Sequence, residues 1–144
     1  MKKTTIAIWG NANQGKSSSI REIATLIETN FPKVEVDYRI IGVDILVIIT
    51  IGKIKIGIES QGDPGSRLEA SLKLFVEEGC DIIICSTRTR GATVWFVEAL
   101  NQKHGYDIIW TSNYFSWEKS SDQINRLFAE HIVNLIKQLI DGNL

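Results

Sequence analysis

The chain has 144 residues, a formal net charge of −1 and a hydrophobic content of 44%. That length suits one domain with one good-sized core, and the near-neutral balance removes any overall electrostatic bias toward nucleic acid or an anionic membrane. The apolar runs are too short, and too broken by charge and glycine, to span a bilayer.

Thr4 to Trp9 reads as a buried strand. The segment around it, MKKTTIAIWG, has two lysines and a short apolar run, the outline of a signal peptide, but the run stops at Gly10. It reads instead as the first strand of a cytoplasmic protein. Ser17 to Asn30 reads as a helix with the apolar stripe Ile20, Ile23, Ala24 and Ile27, ended by Pro32. Between strand and helix lies GNANQGKS, Gly10 to Ser17, with glycines, lysine and serine at the Walker A spacing. In that context backbone N–H groups turn inward around an anion, and the helix N-terminus adds partial positive charge. Gly10 and Gly15 let the backbone pass close to phosphate oxygens.

On this motif and its context the chain resembles the P-loop NTPase superfamily. The resemblance implies a nucleoside triphosphate held by Gly10, Asn11, Ala12, Asn13, Gln14, Gly15, Lys16, Ser17 and Ser18. Lys16 would reach the β- and γ-phosphates, and the Ser17 hydroxyl would hold Mg²⁺.

Downstream, Val34, Val36, Tyr38 and Ile40 alternate with charged residues, as in a half-exposed strand. Asp44 to Ile51, the turn Gly52-Lys53, and Ile54, Ile56 and Ile58 form a hairpin. Gln61 to Gly65 is a loop, and Ser66 with Glu69 predicts a capping box opening a helix with stripe Leu68, Leu72, Phe75 and Val76. Gly79 stops it. Asp81 to Ser86 is a strand buried on both faces, Ala92 to His104 a helix stopped at Gly105, and Tyr106 to Thr111 the last strand. An aromatic loop follows. Ser120 or Ser121 caps a final helix with stripe Ile124, Leu127, Phe128, Val133, Leu135, Ile136 and Leu139. Cys80 and Cys85 read as core thiols, since no Cys/His ligand spacing accompanies them.

Helices between strands predict parallel pairing and right-handed crossovers. The expected fold is a single α/β domain: a three-layer α/β/α sandwich of P-loop type, mostly parallel, with Asp44–Thr50 as one antiparallel hairpin strand. In such sheets ligands sit beyond the carboxyl ends of the strands. Asp44, Asp81 and Asp107 begin strands; for the parallel ones, Asp81 and Asp107, that is the wrong end for phosphate chemistry, and they are expected to cap strand starts or face solvent. Glu59 ends its strand at the phosphate end, and Ile56 to Glu59 resembles a Walker B strand. Glu59, with Asp63 as its rival, is therefore the expected acid beside Mg²⁺ or its water.

The hairpin followed by acid-x-x-Gly resembles the translation-factor-like GTPases. That resemblance implies that the Gly62 N–H faces the γ-phosphate and that Gln61 orients the attacking water. The guanine-reading motif of that family is absent, so ATP is the default nucleotide, with GTP left open. Arg88 and Arg90, just past a strand end, are candidates to neutralise charge on a transferring phosphoryl group, with Arg67 a weaker one. Asn113 is a candidate to bond the base edge beside Tyr114, Phe115 and Trp117, although these aromatics are expected mainly to pack. Trp9, Trp95 and Trp110 read as core, and His104 and His131 as structural or solvated.

The expected function is Mg²⁺-dependent ATP binding and hydrolysis. The alternatives are a small phosphotransferase acting on an anionic acceptor, and a nucleotide-dependent switch acting on a protein partner or on a second copy. Nothing points to nucleic acid or membrane.

Overall fold

The computed structural model describes residues 1–11 and 14–144. Along the chain run β1 (Thr4–Trp9), α1 (Lys16–Asn30), β2 (Glu35–Ile40), β3 (Leu46–Ile51), β4 (Ile54–Glu59), α2 (Leu68–Glu77), β5 (Ile82–Thr87), α3 (Ala92–His104), β6 (Asp107–Ser112) and α4 (Ser121–Ile140). The six strands form one mixed sheet in the order β2-β3-β4-β5-β1-β6. β1 pairs in parallel with β5 and β6, β4 pairs in parallel with β5, and β3 runs antiparallel to both β2 and β4.

Side-chain alternation builds a core on each face of the sheet. On one face, Ile6 and Ile8 of β1, Ile56 and Ile58 of β4, and Ile82 and Ile84 of β5 meet α1 and α4 through Ile20, Ile23, Ile27, Phe128, Ile132 and Ile136. On the other, Ala7, Ile83 and Cys85 meet Leu68, Leu72 and Phe75 of α2 and Val97 and Leu100 of α3. β-Branched residues dominate the central strands, where both faces are covered. At Gly57 the Phe75 ring lies directly on the strand backbone; a Cβ there would stand 2.5 Å from Phe75 Cδ1. Among the described residues, no helix is long and apolar enough to cross a membrane.

Local chemistry sets the boundaries. Gly79 and Gly105 close α2 and α3 in the left-handed conformation, with Cys80 N–H bonded back to Phe75 O, as glycine stops do. Ser120 caps α4 by accepting from Gln123 N–H.

Several expectations require correction. Ser66 and Glu69 form no capping box: α2 starts later, after Arg67, and the Ser66 hydroxyl accepts from Leu68 N–H instead. β2 is exposed throughout rather than half-exposed, because it is an edge strand. Leu127 leaves the α4 stripe and stands 43% exposed. Trp9, Trp95 and Trp110 are surface residues, 40%, 65% and 39% exposed. The two strand tryptophans lie at or next to the β6 edge, which no further strand covers. Apolar identity alone does not separate a central strand position from one beside an open edge.

Candidate functional site

Parallel strands end together, so the carboxyl ends of β1, β4, β5 and β6 lie along one rim of the sheet. The register brings Trp9 level with Thr87 and Ser112. β3 runs the other way, and its start joins the same rim, with Leu46 opposite Glu59. A polar cavity of about 260 Å³ opens there, lined by Gly15, Lys16, Ser17, Ser18, Asp44, Gln61, Gly62, Asp63 and Ser86.

Gly15 starts α1 with φ +81°, and no side chain caps that end. The first amides of a helix have no intrahelical acceptors, so those of Lys16, Ser17 and Ser18 present donors and partial positive charge at the cavity. Lys16 is buried, and its ammonium donates to the carbonyls of Gly10 and, at 3.0 Å, of Thr87. It therefore bridges the ends of β1 and β5. Burial holds its pKa below the ordinary lysine value; the neighbouring Arg88 charge lowers it further, and Asp63 opposes.

Opposite the helix end, Ser17 Oγ donates to Ser60 O at 3.2 Å. Ser60 Oγ in turn donates to Asp44 Oδ1 at 2.8 Å and accepts from Ile45 N–H. Asp44 thus enters the site from the hairpin. Its signal was present in the sequence: an antiparallel strand begins where its parallel neighbour ends. Asp81 and Asp107 stay at the far end of the sheet, accepting from Lys55 N–H and Ile108 N–H.

Glu59 is placed differently from the expected metal-side acid. It is fully buried and does not line the cavity. Its Oε2 accepts from Arg67 Nε at 2.8 Å and Ser71 Oγ at 2.6 Å, and its Oε1 from Arg67 Nη2 at 3.0 Å and Gln61 N–H at 2.9 Å. All four donors come from the chain itself, which satisfies a buried carboxylate. Its geometry anchors the loop after β4 to the start of α2. That loop also meets β5: a Cβ on Gly62 would lie 2.1 Å from Ser86 Oγ and 2.4 Å from Ser86 O, so only glycine fits.

Of the other expected site residues, Gln61 and Asp63 line the cavity, and Gln61 Oε1 accepts from Arg67 N–H. Arg88 reaches across its mouth to Asp63, Nε to Oδ1 at 2.9 Å, while its N–H is fixed by Thr93 Oγ1. Arg90 is exposed and forms no ion pair among the described residues. Gly10 is buried and Asn11 exposed at the start of the loop; Ala12 and Asn13 lie outside the described residues. Asn113 touches the loop itself, giving a hydrogen bond to Gln14 O and taking one from Ser19 Oγ. Asn125, a buried polar residue on α4 that sequence patterning passes over, stands behind it.

No family model matches the chain, and no curated protein or solved structure is significantly similar to it.

Proposed function

We propose that the chain binds a Mg²⁺–nucleoside triphosphate, ATP by default, and hydrolyses it as a small P-loop NTPase. The supporting observation is the juxtaposition of Lys16, the uncapped start of α1 and the acids Asp44 and Asp63 around one polar cavity. The cationic and amide donors lining it match a polyphosphate. The acid and hydroxyl oxygens lining the same cavity match the hard oxygen ligands that Mg²⁺ takes, mostly through water.

The residues fit a magnesium site in which Ser17 Oγ, Asp44 and Asp63 supply the oxygens and Glu59 does not. When bound, Mg²⁺ would offset charge on the phosphate oxygens. Lys16 exchanges its carbonyl partners for phosphate oxygens. Gln61, anchored through its N–H by Glu59 and through its side chain by Arg67, lines the cavity and is the residue that would orient an attacking water. Arg88 supplies positive charge at the mouth once it parts from Asp63. Positioning and electrostatics then carry the reaction.

The Arg88–Asp63 ion pair favours a second reading, a nucleotide switch. It joins the loops after β4 and β5 across the cavity mouth, and a terminal phosphate competing for Arg88 would separate them.

Phosphate release from ATP and GTP, measured with and without Mg²⁺ and with a Lys16→Ala control, tests the proposal. Release that requires Mg²⁺ and Lys16 supports it. Tight triphosphate binding without turnover favours the switch, and absence of both binding and turnover overturns both readings.

A further inference from the structure

Asn113 lies just past β6, far along the sequence from the glycine loop, yet its amide is committed to that loop. Nδ2 donates to Gln14 O at 2.7 Å and lies 2.9 Å from Tyr114 O and 3.1 Å from Asn125 Oδ1. Oδ1 accepts from the Ser19 hydroxyl on the first turn of α1. Both poles of the amide are engaged inside the protein, and three internal acceptors surround its two Nδ2 protons, which leaves it no donor for a nucleobase. The space above Gly15 is filled by the same pair: a Cβ there would stand 2.8 Å from Asn125 Oδ1 and 3.1 Å from Asn113 Nδ2.

The consequence follows from peptide geometry. In a planar trans peptide the C=O and the next N–H point in opposite directions. The bond from Asn113 draws the Gln14 carbonyl toward the β6–α4 segment, which turns the Gly15 N–H the other way. Gly15 also lines the cavity. We infer that Asn113, backed by Asn125, is a positioning residue that aims the Gly15 N–H at the bound anion, and that it is not a base contact. This rests on the triphosphate site proposed above. The C-terminal segment thereby sets the geometry of an N-terminal loop that holds the left-handed Gly15 conformation.

The test compares two probes, inorganic tripolyphosphate and Mg²⁺–ATP, titrated into wild type, Asn113→Ala and Asn113→Asp. Asn113→Asp keeps the shape and the acceptor for Ser19 but removes the donor to Gln14, so it serves if the alanine variant unfolds. Losing one or two neutral hydrogen bonds corresponds to about tenfold in affinity. The expected result is a loss of about tenfold that is equal for the two probes. With it, the Gly15 amide resonance, shifted by tripolyphosphate in wild type, ceases to respond. A loss confined to ATP makes Asn113 a base contact and overturns the inference, as does unchanged affinity for both. If wild type binds neither tripolyphosphate nor ATP, the triphosphate site itself fails, a result distinct from the other two because it appears before any substitution.

Discussion

Arg67 grips Glu59 through two charge-assisted hydrogen bonds, Nε to Oε2 at 2.8 Å and Nη2 to Oε1 at 3.0 Å. The Glu59 side chain is wholly enclosed while the Arg67 side chain as a whole stays 24% exposed. Such a pair is costly to break from the arginine side, because the buried charge that remains has lost its partner. Arg67→Met is expected to destabilise the fold by about 3 kcal/mol in urea denaturation. Glu59→Gln keeps the shape but turns one acceptor oxygen into a donor facing Arg67; because it leaves no buried charge behind, it is expected to cost less. Equal midpoints for Arg67→Met and wild type would remove Glu59 from its anchoring role.

Asp44 and Glu59 make opposite predictions about magnesium. If Asp44 is on the metal side of the cavity, Asp44→Asn raises the Mg²⁺ concentration needed for half-maximal phosphate release by about tenfold or more, with stability little changed. Glu59→Gln shifts the denaturation midpoint and leaves the Mg²⁺ midpoint near wild type. The reverse pattern would return the metal to Glu59.

Gly62 and Gly57 are both closed to a side chain, by different neighbours. At Gly57 the obstacle is the Phe75 ring, which a smaller residue can replace; at Gly62 it includes the Ser86 backbone carbonyl, which nothing can trim. Gly57→Ala is therefore expected to regain stability when combined with Phe75→Leu. Gly62→Ala, costing about 1–3 kcal/mol by overpacking, is not expected to recover with Ser86→Ala. Thermal melts of the two single and two double variants check the contrast.

The lowered pKa of Lys16 gives a pH dependence with a definite sign. Below the folded-state pKa the ammonium is charged and grips an anion. Above it the charge is lost, although a free lysine would still carry its proton. A bound triphosphate raises the pKa back, so between the free and the bound value binding takes up a proton and weakens as pH rises. Titrations in two buffers of different ionisation enthalpy measure that uptake. Lys16→Arg, charged throughout, should flatten the dependence.

Much of the architecture was legible because local signals agreed. The isoleucine runs marked central strands, Gly79 and Gly105 marked helix ends, and the Gly52-Lys53 turn fixed the antiparallel hairpin. The site was legible where one contiguous segment builds it, as from Gly15 to Ser18. It was not legible where segments distant in sequence meet. Glu59 sat at the right end of its strand, but only the fold shows Arg67 and Ser71 closing over it. Asn113 read as a candidate for the base edge and Asn125 carried no signal at all, because their meeting depends on α4 lying beside α1. Trp9 and Trp110 misled because hydrophobicity does not report which strand ends the sheet.

A triphosphate grip centred on Lys16 is decided by calorimetric titration of Mg²⁺–ATP into wild type and Lys16→Ala. Removing two charge-assisted hydrogen bonds to phosphate corresponds to about 100-fold or more in affinity. Saturable binding by wild type is expected, at least as tight for ATP as for GTP, with a loss of about that size in Lys16→Ala while the variant keeps its fold by circular dichroism. Saturable binding that survives Lys16→Ala intact, or none in wild type, would rule the grip out.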